Sequence, residues 1–304
     1  MHPTETYQLS IEFVSQGTAV GQVKDDVKNW LLGMGEESFV EGYIDNLFLD
    51  LDYATSSPEQ YEELGGDVTP LLIYKYDRQH LEDLQIALEK CFPQNLHCKL
   101  DSIQTQVWME GWKESFKPIQ TEKFYIYPPW LSENLPVDRL HLLIEPGMAF
   151  GTGQHATTVL CLEALEELPA ARQLLDVGTG TGILAIAASK FGYKHVIATD
   201  IDPDSMIAAR ANALANNVDL ELEQGTFPSQ ATSSDVVVAN IIYYVLKQII
   251  GELSAQVSPG GYLILSGLLI DETREMSQLA EAHGLELVGE KSREDWASQV
   301  YRKA

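Results

Sequence analysis

Hydrophobic positions in the last half of the chain alternate between two periodicities. From about residue 150, short continuous apolar runs typical of buried strands alternate with segments whose apolar residues recur every three or four positions. This alternation predicts an α/β fold with a seven-stranded, doubly wound sheet whose last strand, in a terminal hairpin, is antiparallel. The predicted strands are 173–177, 195–199, 220–223, 235–239, 262–266, 285–290 and 297–302. The predicted helices are 158–168, 183–191, 205–216, 245–256 and 276–283.

The first hundred residues follow a different order of elements. Their pattern predicts strand, helix, strand, strand, helix and strand at 7–14, 20–34, 39–53, 70–76, 79–91 and 96–105. This order is that of a small ferredoxin-like α+β domain, which we assign to residues 1–105. No residue pattern in this domain indicates catalysis, and domains of this kind often bind partners.

A segment rich in aromatic residues and prolines connects the two patterns. Residues 106–145 are predicted to be a linker, because their prolines oppose a long regular element. The aromatic side chains need cover, so we expect this segment to lie against the domain that follows, at 146–304.

The charge of the chain limits its partners. Its 304 residues carry 45 acidic and 20 basic side chains, a net charge of -25, and residues 1–105 alone contain 19 acids against 6 bases. Nucleic-acid binding requires basic surface, so direct contact with nucleic acid is not expected. A basic protein is a better partner, although solubility alone accounts for the charge equally well.

The cysteines and the apolar runs indicate the compartment. Cys91, Cys98 and Cys161 are few, odd in number and lack the C-x-x-C spacing, so we expect reduced thiols and no metal site. Core packing is the favoured interpretation of Cys161. No apolar run is long enough for a membrane span, and the first residues do not resemble a signal peptide. We therefore expect a cytoplasmic protein.

The strongest chemical signal is a glycine turn followed by an acid. Gly178, Gly180 and Gly182 come directly after a predicted strand, and Asp200 ends the next strand. Glycines permit a tight turn and close approach of a ligand, and the acid suits the hydroxyls of a ribose. A dinucleotide site usually has G-x-G-x-x-G, whereas this spacing favours S-adenosyl-L-methionine. The alternative is a turn without a ligand.

Asn240 ends a third strand, at the same predicted edge of the sheet. Its side-chain oxygen is suited to accept a hydrogen bond from an incoming amine. An asparagine here also suits the cap of the following helix. Its position in the sequence leaves both interpretations open.

Residues 145–158, Glu-Pro-Gly-Met-Ala-Phe-Gly-Thr-Gly-Gln-His-Ala-Thr-Thr, form a signature segment. This segment resembles the motif of the methyltransferases that modify ribosomal protein L11, the PrmA family. Its usual form is close to D-P-G-x-A-F-G-T-G-x-H-x-T-T. The resemblance spans roughly residues 106–304, and the element order of the first domain agrees with it.

The resemblance implies a site for S-adenosyl-L-methionine and a place for each candidate residue. The candidate cofactor-binding residues are Phe150, His155, Thr157, Gly178, Gly180, Asp200 and Asn240. Asn240 is also the candidate catalytic residue. A structural histidine, hydrogen-bonded to the backbone, is an equally good interpretation of His155.

The resemblance further implies transfer of methyl groups to lysine or N-terminal amines of ribosomal protein L11, with residues 1–105 recognising that basic protein. One departure bears on the acceptor, since Tyr243 and Tyr244 follow Asn240 where the family has a form nearer to N-I-L-A. Two alternatives remain: a methyltransferase of another protein or small molecule, and a non-catalytic protein that binds S-adenosyl-L-methionine.

Overall fold

The chain divides into two compact units, unit 1 (Met1–Phe116) and unit 2 (Lys117–Ala304). The structure, a computed structural model, describes residues 5–13, 20–34, 36, 39–41, 70–75, 77–93, 95–104, 117–146, 155–230 and 233–304. Within these residues no helix is both long and apolar enough to cross a membrane.

Unit 1 contains a four-stranded antiparallel sheet. Its described elements are β1 (Glu5–Phe13), α1 (Val20–Gly33), β2 (Phe39–Glu41), β3 (Leu71–Lys75), α2 (Arg78–Cys91) and β4 (Leu96–Gln104). The strands lie in the order β2-β3-β1-β4. Alternate residues of β1, such as Leu9 and Ile11, are fully buried with Val27 and Leu31 of α1 and Leu88 of α2. Most of the predicted strand 39–53 lies outside the described residues.

Residues 117–146 differ from the predicted linker. They form a three-stranded sheet of β5 (Ile119–Gln120), β6 (Phe124–Tyr127) and β7 (Leu140–Leu143), and they lie within unit 2. Phe124, Ile126 and Leu142 are buried in the same core as the helices of unit 2. The prolines fall before β5, after β6 and before β7, so they limit the strands to two to four residues without preventing them.

Unit 2 is built on the predicted seven-stranded sheet. Its strands are β8 (Gln173–Val177), β9 (His195–Asp200), β10 (Glu221–Gln224), β11 (Ser234–Asn240), β12 (Val257–Leu269), β13 (Leu285–Arg293) and β14 (Trp296–Lys303). They lie in the order β10-β9-β8-β11-β12-β14-β13. The first five strands in this order pair in parallel, and β14 is antiparallel to both of its neighbours. The antiparallel last strand is thus confirmed.

Helices cover both faces of this sheet. They are α3 (Ala156–Glu167), α4 (Ile183–Phe191), α5 (Pro203–Ala215), α6 (Tyr243–Gln256) and α7 (Thr273–Ala282). Successive strand residues point to opposite faces. Accordingly, Leu174 and Val236 pack in a core with α3 and α4, whereas Leu175 and Val237 pack in a second core with α6 and α7. Cys161 is fully buried in the first core.

Candidate functional site

The carboxyl ends of three parallel strands bring the candidate residues to one edge of the sheet. Val177 of β8 pairs with Thr199 of β9 on one side and with Ala239 of β11 on the other. The next residues along these strands are Gly178, Asp200 and Asn240. The sheet register therefore places the three candidates side by side, where ligands of doubly wound sheets bind.

The turn after β8 requires its glycines. Gly178, Gly180 and Gly182 have φ angles of 71°, 55° and 83°, a region that other residues avoid. A Cβ atom on Gly178 would lie 2.8 Å from Cγ1 of Ile241, and one on Gly182 would lie 3.2 Å from Cα of Ala209. The glycines thus permit both the positive φ angles and the close approach of neighbouring chain segments.

Asp200 is tied to the glycine turn by its own carboxylate. One oxygen accepts a hydrogen bond from the Gly180 N–H at 2.9 Å, and the other accepts one from the Asp202 N–H at 2.9 Å. The Ser205 side chain also hydrogen-bonds to this carboxylate, which leaves part of its acceptor capacity unused. Burial raises the pKa of Asp200 above its ordinary value. The side chain is therefore held in place with acceptor capacity left over.

Asp176, in β8, is a fully buried acid that the sequence pattern does not single out. Its Oδ2 atom accepts hydrogen bonds from the Thr179 hydroxyl at 2.6 Å and the Ala185 N–H at 3.1 Å. Its Oδ1 atom has no partner among the described residues. Burial raises the pKa of this carboxyl to about 7. Asp176 therefore stabilises the glycine turn through Thr179 and Ala185, and its pKa lies well above that of an ordinary aspartate.

Asn240 presents an unused hydrogen-bond acceptor. Its Nδ2 atom donates to the Thr158 hydroxyl at 3.4 Å, while the buried Oδ1 atom has no partner among the described residues. The capping interpretation is wrong, because α6 has Ile242 at its N-cap and no side chain makes the cap hydrogen bond. Within the described residues, the oxygen of Asn240 is therefore a buried acceptor whose hydrogen-bonding capacity is not used.

Residues distant in sequence fix the backbone that follows Asn240. The Ile241 N–H donates to the Ser266 carbonyl of β12 at 3.1 Å. Gly267, with a φ of 86°, passes so close that a Cβ atom there would lie 2.3 Å from the Ile241 carbonyl oxygen. The position of Asn240 therefore depends on β12 as well as on its own strand.

His155 acts as the N-cap of α3. Its Nδ1 atom accepts from the Thr157 N–H at 3.4 Å and lies 2.8 Å from the Thr157 hydroxyl oxygen. Its ring stands edge-on to that of Trp296, with centroids 4.7 Å apart. Burial lowers the pKa of His155, which favours the neutral ring. These contacts support the structural interpretation of His155, and Trp296 is a neighbour that the sequence did not single out.

The remaining candidates lie apart from this network or outside the described residues. Tyr243 packs against the second core, with its ring centroid 5.1 Å from Nζ of Lys247. Tyr244 is 49% exposed at the start of α6. Phe150 is outside the described residues. No group of three metal-ligating side chains occurs in the part of the chain that is described.

The family model and the sequence relatives that match this chain carry the same family name. The family model described as "Ribosomal protein L11 methyltransferase (PrmA)" matches residues 22–304. A relative named ribosomal protein L11 methyltransferase from Geobacter metallireducens is 36% identical over 269 residues, which cover 85% of this chain and 88% of the relative. One of the same name from Citrifermentans bemidjiense is 37% identical over 285 residues, covering 86% and 89%.

A solved structure agrees with these sequence relatives. It is a crystal structure of ribosomal protein L11 methylase from Lactobacillus delbrueckii subsp. bulgaricus, which matches with a TM-score of 0.57 at 30% identity. The match covers 62% of this chain and 100% of that chain. This chain belongs to the ribosomal protein L11 methyltransferase (PrmA) family.

Proposed function

We propose that this chain is a methyltransferase that uses S-adenosyl-L-methionine to methylate lysine or N-terminal amines of ribosomal protein L11. The Oδ1 atom of Asn240, which has no partner among the residues that the structure describes, carries this proposal, because it offers a buried acceptor beside the glycine turn and Asp200. The names of the relatives support the protein acceptor.

The residues at the sheet edge fit S-adenosyl-L-methionine. Gly178 has a positive φ and packs so closely against Ile241 that a Cβ atom would displace the Ile241 side chain, so glycine keeps the turn next to the residue that follows Asn240. With the Gly180, Asp202 and Ser205 hydrogen bonds in place, the Asp200 carboxylate retains acceptor capacity for one ribose hydroxyl. We assign the amino-acid end of the cofactor to the turn at Gly178 and Gly180. We assign Phe150, His155 and Thr157 to the wall of the same pocket.

The cofactor, when bound, supplies an activated methyl group, so alignment of the acceptor is the main task of the protein. A lysine amine, with a reference pKa of about 10.4, must lose its proton at a cost of roughly 4–5 kcal/mol at neutral pH. Desolvation of the amine lowers this cost. The Asn240 Oδ1 atom then accepts one amine N–H and directs the nitrogen lone pair toward the methyl group.

Unit 1 is proposed to be ferredoxin-like and to recognise ribosomal protein L11. The element order and the strand order β2-β3-β1-β4 of its described residues support the fold. The excess of 19 acids over 6 bases in residues 1–105 supports a basic partner. Deletion of residues 1–116 should abolish methylation of that partner and leave the affinity for S-adenosyl-L-methionine unchanged.

The test is incubation with labelled S-adenosyl-L-methionine and purified ribosomal protein L11, followed by mapping of the label by mass spectrometry. Asn240→Ala should lower kcat by at least about a hundredfold, because a misplaced acceptor loses alignment. The affinity for the cofactor should change much less. Gln248→Ala removes an exposed amide from α6 and serves as the matched control. Full turnover by Asn240→Ala would remove Asn240 from the mechanism.

Tyr244 favours a second candidate, methylation of another protein or a small molecule. This side chain is 49% exposed at the start of α6 and directly follows Tyr243, where the family form has alanine. Cofactor binding without label on ribosomal protein L11 would support this candidate. Cofactor binding without turnover on any acceptor would instead support a non-catalytic binding protein.

A further inference from the structure

Helix α5 carries two buried asparagines one helical turn apart. Asn212 is 2% exposed, and Asn216, which caps the helix, is 6% exposed. Residues four apart lie on the same face of a helix. Both side chains point toward the segment that leaves β7, but they contact different groups.

Asn216 binds the backbone of β7. Its Oδ1 atom accepts from the Leu143 N–H at 3.0 Å, and its Nδ2 atom donates to the Leu143 carbonyl at 2.6 Å. The same Nδ2 atom also donates to the Asn212 carbonyl at 2.9 Å. The side-chain amide of Asn216 thus pairs with both the N–H and the carbonyl of Leu143, as the backbone of an adjacent strand would. None of these three hydrogen bonds involves the glycine turn.

Asn212 joins two parts of the candidate site. Its Oδ1 atom accepts from the N–H of Glu145, the first residue of the signature segment, at 3.0 Å. Its Nδ2 atom donates to the carbonyl of Thr181, inside the glycine turn, at 2.9 Å. One turn earlier in α5, Ala209 lies against Gly182, where a Cβ atom would be 3.2 Å from the Ala209 Cα atom. A single amide therefore spans the space between the turn and the start of the signature segment.

We infer that Asn212 is a positioning residue of the cofactor site, which sets the separation between the glycine turn and Glu145. The role requires a donor and an acceptor on one short neutral side chain. Aspartate lacks the donor, and alanine lacks both groups. The inference rests on the proposed function, because it assumes that the turn and the signature segment hold S-adenosyl-L-methionine together.

The experiment compares Asn212→Ala with Asn216→Ala as the matched control, since each variant removes one buried amide from the same face of α5. Hydrogen exchange is measured first without ligand, on peptides covering residues 143–146 and 178–182. Calorimetry then gives the affinity for S-adenosyl-L-methionine, and thermal melting gives the stability of each variant. Steady-state kinetics separate the KM for the cofactor from kcat.

Asn212→Ala should speed exchange in both peptides and weaken cofactor binding at least fivefold, with KM rising and kcat changing little. Asn216→Ala should speed exchange in the 143–146 peptide alone and change the affinity less than twofold. This should hold even if its melting temperature falls as much as that of Asn212→Ala. Equal changes in affinity for the two variants, or unchanged affinity in Asn212→Ala, would overturn the inference.

Asn212→Asp keeps the inference testable if the alanine variant does not fold. It retains an acceptor for the Glu145 N–H, but its ionised carboxylate cannot donate to the Thr181 carbonyl, so the glycine turn loses its tether to α5. The amides of the loosened turn should then exchange faster in the 178–182 peptide alone, and binding should be weaker. Faster exchange in neither peptide would count against the bridge. Failure of the wild-type protein to bind S-adenosyl-L-methionine would contradict the proposed function, whereas the exchange data would still decide whether Asn212 couples the two segments.

Discussion

Gly267→Ala should impair catalysis from a strand that supplies no candidate site residue. A Cβ atom at this position would lie 2.3 Å from the Ile241 carbonyl oxygen, whereas ordinary contact begins at 3.4 Å. The Ile241 backbone must therefore move by about 1 Å, and Asn240 precedes it directly. A misplacement of about 1 Å in an aligned site costs on the order of a hundredfold in rate, so we expect kcat to fall by about that factor.

Gly267→Ala should also lower the stability of the protein, through two costs: the positive φ and the clash. A control variant that has only the first cost separates the two. The positive φ of Gly267 costs an alanine about 1 kcal/mol, and the clash adds roughly 1–3 kcal/mol. Gly260, in the same strand, has a φ of 76°, and a Cβ atom there would meet no atom of the described residues within 4 Å, so Gly260→Ala carries only the first cost. Its melting temperature should fall by about 2–4 °C, with kcat unchanged.

The assay is label transfer at saturating cofactor and acceptor, alongside thermal melting of both variants and the wild-type protein. A Gly267→Ala protein that folds, melts like Gly260→Ala and retains full kcat would refute the argument. Such a result would mean that Ile241 can shift without moving the Asn240 side chain.

The remaining predictions concern titration and the glycine turn. Because the pKa of Asp176 rises from 3.8 to about 7 on burial, the folded protein binds more protons than the unfolded chain between these values, and stability falls as pH rises through this window. Between pH 4.5 and 7.5 this loss of stability amounts to about 3 kcal/mol. Asp176→Asn should remove it, as measured by urea unfolding at the two pH values, and parallel changes in the two proteins would contradict this. Because burial lowers the pKa of His155, the unfolded chain binds a proton more readily, and stability should fall as pH drops below about 6.5. His155→Asn keeps a cap acceptor, so its melting temperature should show a smaller fall over the same pH range. Gly178→Ala, whose Cβ atom would lie 2.8 Å from Ile241, should weaken cofactor binding measured by calorimetry at least tenfold. Unchanged affinity would show that the close contact between the turn and Ile241 does not shape the cofactor site.

The sequence predicted those parts of the structure that depend on neighbouring residues in the chain, such as hydrophobic periodicity and glycine conformation. The sheet of unit 2 follows from runs of buried residues, and the glycine turn follows from φ angles that other residues avoid. The role of Asn240 could not be decided in this way, because it depends on where α6 begins relative to β11. The predicted linker, 106–145, rests on its prolines, but the structure places Pro118, Pro128 and Pro136 outside the strands between them, where proline does not exclude short strands.

Contacts between distant segments account for what the sequence did not show. Asn212 lies 67 residues from Glu145 and 31 from Thr181, and no motif connects the three. Trp296 meets His155 only because β14 pairs with β12 and brings the start of the strand to α3. Such partners become visible only after the strand order is known.

The strand order of unit 2 also constrains how the protein is made. Because β14 lies between β12 and β13, the edge of β12 has no permanent neighbour until the ribosome has released residues 296–303. During synthesis β13 emerges before β14, the strand with which it pairs, so β13 cannot join the sheet until β14 has been made. An unpaired strand edge is an aggregation hazard, so protection of nascent β12 becomes a matter of translation speed and chaperone access.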